Sequence, residues 1–132
     1  MIIADADVWI DFWKRPSSKI AVALDGLLED GQVGLIGVVL AEIQRGFRDE
    51  RERQRMNAMV EGLPYFEMTR VTWELAGVIA KDLDEKGLSI PITDACVAAV
   101  AVDGDHQVFT RDKRHFERVP GLRLYQTEGD PA

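Results

Sequence analysis

Five short apolar runs, at residues 2–4, 33–36, 65–68, 107–110 and 122–126, punctuate this chain, and most are separated by enough residues for one or two helices. Strands connected in that way do not form hairpins; a crossover carrying a helix brings the chain back to the same edge of the sheet, so neighbouring strands run parallel. Parallel sheets are covered on both faces, which makes the expected fold class α/β. The segments between the runs support this. A helical turn is expected at 8–13; Pro16-Ser17-Ser18 then breaks the pattern and offers a cap for a helix over 20–29, ended by Asp30-Gly31. Further helices are expected over 38–47 after Gly37, over 50–61 before Gly62 and Pro64, over 72–86 before Gly87, and over 92–102. There is no internal repeat, low-complexity stretch or linker, so residues 1–126 read as one domain and 127–132 as a loose tail.

With 132 residues, 46% of them hydrophobic, the chain is long enough to bury a core without staples. Cys96, the single cysteine, lies in an apolar stretch and reads as a small core residue of a reduced compartment. Acids stand near the start where a secretory signal would carry Lys or Arg, and the longest apolar runs, 33–41 and 95–102, are too short to span a bilayer. The expectation is a soluble cytoplasmic protein with no membrane contact. The net charge of −7 argues against a nonspecific nucleic-acid coat, whose affinity comes from Lys and Arg replacing phosphate counterions. It leaves open a metal-dependent enzyme acting on phosphates, where bound cations supply the local positive charge.

The first strand runs straight into acids: Asp5, Asp7 and Asp11 are interleaved with Trp9, Phe12 and Trp13. In an open parallel sheet, functional groups collect at the carboxyl ends of the strands, where the strand order reverses. Asp5 follows the first expected strand, Glu42 lies in the helix after the second, Asp112 lies two residues past the fourth, and Asp94 opens the helix introduced by Pro91. Four carboxylates from four separated segments can therefore meet at one rim. Each also has a bland reading: Asp5 or Asp7 as a helix N-cap, Asp94 as an acid of a first helical turn, Asp112 as a turn residue. Glu42 is harder to dismiss, because Val38, Val39, Leu40, Ala41 and Ile43 surround it. Packed carboxylates repel, raise one another's pKa and favour a hard cation.

The stretches IIADADVWIDFW, VVLAEIQRG, IPITDACVAAVA and VFTRDKRHFERV, in that order and over essentially the whole length, resemble the PIN domains. Within that family they are similar to the small VapC-type toxin endoribonucleases of bacterial and archaeal toxin–antitoxin pairs. The resemblance implies a PIN-like three-layer sandwich, a five-stranded parallel sheet between helical layers. It also implies a nuclease centre dependent on Mg2+ or Mn2+, with Asp5, Glu42, Asp94 and Asp112 at the family's acidic positions and Thr110 at a hydroxyl position lining the centre. The implied partners are an RNA substrate and a small cognate antitoxin, in a homodimer or a toxin–antitoxin hetero-oligomer. Two positions depart from the family's pattern. Asp7 stands where many members have Ser or Asn, either as an outer-shell acid or as a cap. His115 stands where some relatives carry another acid, so one tightly held ion is expected.

Chemically, a divalent ion held by carboxylates lowers the pKa of a bound water and stabilises charge on a phosphate under in-line attack. Asp5, Asp94 and Asp112 are the expected ligands, with Glu42 orienting the attacking water or holding a second ion. Arg111 and Arg114 flank Asp112 and are candidates for the scissile phosphate, against a surface role of equal weight. Other constellations are weaker. His106 and His115 have no supporting motif for an acid–base pair, and with one cysteine they make no zinc spacing. Trp9, Phe12 and Trp13 at helical spacing read as core or subunit contacts before a base-stacking platform. The segment RGFRDERERQR reads as a solvated helix face that is also the best basic patch for steering RNA.

Two rival functions remain at this level. Asp5-Ala6-Asp7 after an apolar strand resembles the start of a haloacid-dehalogenase-like phosphatase, but Trp9 stands where that pattern takes Thr or Val, and Glu42 and Asp94 are left unemployed. The other rival is a catalytically silent PIN-like interaction module, which the four filled acidic positions argue against. An inhibitor peptide laying apolar side chains along 8–13 and 38–47 and extending an Arg toward the acids is the expected form of control.

Overall fold

The computed structural model describes residues 1–127, so the expected tail lies, from residue 128 onward, outside the described residues. Its elements follow in the order β1 (Ile2–Ala4), α1 (Ala6–Lys14), α2 (Lys19–Glu29), β2 (Val33–Ile36), α3 (Gly37–Arg45), α4 (Glu50–Val60), β3 (Tyr65–Phe66), α5 (Arg70–Glu85), α6 (Ile92–Asp103), β4 (Gln107–Phe109), α7 (Arg114–Glu117) and β5 (Arg123–Leu124). The sheet has five strands in the order β3-β2-β1-β4-β5, and every pairing is parallel. Right-handed crossovers then send α1 to α4 to one face and α5 to α7 to the other.

This order decides where the site falls. The chain moves outward from β1 through β2 to β3, then returns to place β4 on the far side of β1, with Ala4 opposite Phe109. The strand order therefore reverses between β1 and β4, and their carboxyl ends open a crevice there. The Asp5 amide donates to the Phe109 carbonyl at 2.8 Å and carries the β1–β4 pairing to its last residue.

Local chemistry sets the helix boundaries. Ser18, Asp49 and Thr69 cap α2, α4 and α5, each accepting from the backbone N–H three residues on. Helix α1 begins two residues earlier than the sequence suggests, because Asp5 takes up the N-cap position itself. Helix α5 ends at a left-handed Gly87, whose amide reaches Asp84 while Leu88 reaches Leu83. Helix α6 is buried from Ala95 to Ala101 without a polar face, and it packs on α5 and α7. Its alanines let it lie close to the sheet. Close approach also explains Gly34 in β2, where a Cβ would fall 2.1 Å from the Phe66 ring of β3. Cys96 is buried in α6, and its thiol pKa is raised by that burial, as expected of a packing residue. No helix among the described residues is long and apolar enough to cross a membrane.

Candidate metal centre

The crevice between β1 and β4 is built on Asp5. Its carboxylate caps α1, accepting the Ala6 amide at 2.9 Å, and its other oxygen lies 3.3 Å from the Thr110 hydroxyl at the end of β4. Asp7, one helical step on, accepts the backbone amides of Arg111 and Asp112 at 3.2 and 3.3 Å, and the Thr110 hydroxyl is 3.3 Å from it as well. Helix α1 thus grips the segment after β4 through two carboxylates. Asp7 is neither a cap nor a free charge; it satisfies two N–H groups that a sharply turning loop leaves without backbone partners.

Glu42 reaches the same place from α3, and Asp94 from the first turn of α6. The mutual influence of these acids is visible in their titration. The Asp5 pKa is pushed up to about 7, first by burial and then by the charges of Asp7, Asp94 and Glu42, against the lowering effect of the Ala6 amide. Glu42 is raised by burial and by Asp94 and Asp7, and Asp7 is raised chiefly by burial. Glu42 Oε1 is also buried without a hydrogen-bond partner. A buried acceptor with no donor, in a pocket of like charges, is the environment that an oxygen-loving cation relieves.

Asp112 is placed differently. Its backbone joins the Asp7 loop, but its exposed carboxylate turns to Arg114, accepting from the Arg114 amide and Nε at 3.2 Å and from the guanidinium terminus at 3.1 Å. Those bonds hold its pKa below the usual carboxylate range. Arg114, a candidate phosphate contact, is thereby folded back on its own loop. His115, on the short α7, places Nδ1 2.7 Å from Asp94 Oδ2 and so donates to that carboxylate. The structure therefore brings Asp5, Asp7, Glu42 and Asp94 into one electrostatic unit and leaves the Asp112 side chain beside it. Among the described residues no three metal-capable side chains converge on a common point. An all-oxygen donor set from rigid elements suits Mg2+ or Mn2+, so the residues fit the ion that the resemblance implies.

The two histidines do not form a pair: His106 precedes β4 at the amino end of the sheet, stacked on Phe66, whereas His115 follows β4 at the carboxyl end. Trp9 is fully buried and meets Phe12 edge-on, which makes it a core residue, while Trp13 lies under the Arg55 guanidinium. One acid of the opening cluster receives no role from the sequence. Asp11 is 3% exposed and takes two guanidinium groups on one oxygen, Arg15 at 2.6 Å and Arg111 at 3.2 Å. The signal was its position, an acid four residues after Asp7 on the buried side of an amphipathic helix.

Comparison with known proteins bears on the family and the fold. A family model described as PIN domain matches residues 2–122. Ribonuclease VapC1 of Methanocaldococcus jannaschii is 26% identical over 129 residues, covering 94% of this chain and 86% of the relative. Ribonuclease VapC2 of Rickettsia felis is 24% identical over 105 residues, 76% of this chain and 78% of the relative. Among solved structures, VapBC2 from Rickettsia felis bound to a promoter DNA fragment superposes with a TM-score of 0.81 at 21% identity, over 95% of this chain and 98% of that one. VapBC from Salmonella typhimurium, also DNA-bound, gives 0.80 at 21% identity, over 94% and 96%.

Proposed function

The chain belongs to the PIN domain family, and from that premise we propose that it is a metal-dependent endoribonuclease, the VapC-type toxin of a toxin–antitoxin pair acting in the cytoplasm. The observation that carries the reading is the electrostatic coupling of Asp5, Asp7, Glu42 and Asp94 beside the strand-order reversal, where burial and the charges of the other three raise the Asp5 pKa to about 7. The names of the two relatives, both ribonucleases, support the activity. Neighbouring structures of VapBC complexes support a protein antitoxin as partner.

Asp5 and Asp94 would hold the ion, joined by Asp112 once its carboxylate leaves Arg114, with Asp7 and Glu42 in the outer shell. When bound, Mg2+ or Mn2+ supplies Lewis-acid stabilisation of the charge that develops on the phosphate during in-line attack. The chain's own groups prepare for that moment. The Ala6 amide and Thr110 hydroxyl fix Asp5, so its carboxylate needs little reorganisation. His115 holds one Asp94 oxygen and leaves the other for the centre. Glu42, with its unpartnered buried oxygen, is placed to accept a hydrogen from the attacking water and to orient it. A small, largely apolar recess between α1, α3 and α4, lined by Trp9, Ile10, Trp13, Ile43, Phe47 and Met56 with Lys14 and Glu52, supports docking of hydrophobic side chains of an antitoxin peptide. Exposed Val71 and Val78, seven residues apart on one face of α5, support self-association into a homodimer or a larger toxin–antitoxin assembly.

The deciding experiment incubates partner-free protein with total RNA in Mg2+ or in EDTA, beside Asp94→Asn and a p-nitrophenyl phosphate control. Cleavage of RNA alone, in Mg2+ alone, and only by the native protein is the expected result. Hydrolysis of p-nitrophenyl phosphate would return the phosphatase reading, and inertness toward both would favour a silent module.

A further inference from the structure

A rim of carboxylates repels the phosphate it has to receive, so the protein needs a fixed positive group beside it. Four arginines are close enough in sequence to qualify, and the structure separates them. Arg45, one turn from Glu42 on α3, lowers the pKa of that acid. Arg114 is spent on Asp112. Arg111 is anchored at both ends: its amide donates to Asp7 and its guanidinium to Asp11, while the side chain remains 48% exposed. Arg15 shares the same Asp11 oxygen. One buried carboxylate thus serves two guanidinium groups, and the trio carries a surplus positive charge next to the negative cluster.

The cost of this arrangement points to use. Burying a carboxylate is expensive even when it is paired, and an apolar residue at position 11 would complete the buried side of α1 at lower cost. What Asp11 provides, and an apolar residue would not, is a fixed direction for Arg111. We propose that the Arg15–Asp11–Arg111 trio is the phosphate-binding element of the centre, with Arg111 as the group that takes the non-bridging oxygens of an RNA phosphate and Asp11 as its positioning residue. The guanidinium fork is suited to two such oxygens at once. Arg15, one helical turn beyond Asp11, extends the cationic strip toward the neighbouring phosphate. The proposal rests on the ribonuclease reading and deepens it.

The test is steady-state cleavage of a short single-stranded RNA in Mg2+ by native protein, Asp11→Asn, Arg111→Ala, the double variant, Arg111→Lys and Arg114→Ala. Arg123→Ala, which removes the same charge from the remote Arg123–Asp105 pair at the amino end of the sheet, is the control, and the melting temperature of every protein is recorded. Arg111→Ala is expected to lose about tenfold or more in kcat/KM, expressed in both terms, and to lower the salt slope of KM by about one charge. Asp11→Asn should reproduce most of that loss although Arg111 is still present, and the double variant should be no worse than Arg111→Ala. Arg111→Lys should recover part of the affinity and little of kcat. Losses that multiply in the double variant, or that follow melting temperature, would make Asp11 merely structural and overturn the proposal; so would an Arg111→Ala enzyme within about threefold of native, or one less impaired than Arg114→Ala. If Asp11→Asn does not fold, the Arg111 variants, in which Asp11 is intact, decide the matter. Native protein that cuts no RNA would sink the ribonuclease reading and this one together, whereas native activity with an active Arg111→Ala sinks only this one.

Discussion

Asp5 accepts the Ala6 amide, which favours its charge, yet its pKa rises to about 7 because burial and three neighbouring acids outweigh that bond. The consequence has a definite sign. An acid whose folded pKa lies above its ordinary value of 3.8 binds more protons in the folded than in the unfolded chain, so its stabilising contribution is full below that value and is lost as pH rises toward 7. Metal-free protein should therefore melt at progressively lower temperature as pH is raised through this window, and Asp5→Asn should flatten the slope; thermal melts in EDTA at constant ionic strength check it. Asp7 gives the opposite kind of prediction. Asp7→Ala would leave the Arg111 and Asp112 amides without their acceptor and should cost about 1–3 kcal/mol, measurable by denaturant unfolding, with Asp7→Asn milder because its amide oxygen still accepts. At this scale the sequence revealed types more readily than partners. Asp5 was legible because an acid after an apolar strand needs explaining, but the Asp7 amides come from residues 104 and 105 positions away, and nothing local announces them. Sequence separation also hid Asp11 with Arg111, 100 positions apart, and Asp94 with His115, 21 apart.

The elements were read from caps and breakers, and succeed or fail with them. Ser18, Gly87 and Pro91 mark real boundaries, whereas α7 was missed because four residues, Arg114–Glu117, are too few to display a helical period. The strands β3 and β5 came out shorter than their apolar runs, since only two residues of each find a parallel partner. Packing between elements was also invisible, and Gly34 is an instance. Read alone it is a weak residue in a strand; in place it is the gap that receives Phe66, which is itself stacked on His106 at 4.4 Å. With the ring held on one side, Gly34→Ala forces a shift of β3 against β2 and should cost about 1–3 kcal/mol. Phe66→Leu in the same chain should recover part of it. A melting point for Gly34→Ala equal to native would show that the ring moves freely.

Across the whole molecule, alternation of strands and helices dictates a parallel sheet but leaves its order undetermined. The return of β4 to the far side of β1 depends on the apolar body of α6, Ala95 to Ala101, packing beneath it, a global fact, and it is this return that makes the ends of β1 and β4 neighbours. The acidic site is therefore a property of the topology: segments near residues 5, 42, 94 and 110 meet only when the fold is complete. A cation that binds the assembled carboxylates and not the unfolded chain must stabilise the fold. At about a hundred times its dissociation constant it adds roughly 2.7 kcal/mol, a rise on the order of ten degrees for a chain of this length. Asp5→Asn and Asp94→Asn each remove one charge from the unit, and each should shrink the response to Mg2+. Without metal, Asp94→Asn has two opposing effects, relief of repulsion on Asp5 and Glu42 and loss of a charged acceptor for His115, so its net shift should be small. Asp103→Asn, at the far end of α6, provides the control for surface charge. The check is a Mg2+ titration of melting temperature at constant ionic strength and neutral pH. Equal responses in native, Asp94→Asn and Asp103→Asn would mean that Mg2+ acts only by screening, and that the carboxylates gathered by the strand reversal do not share an ion.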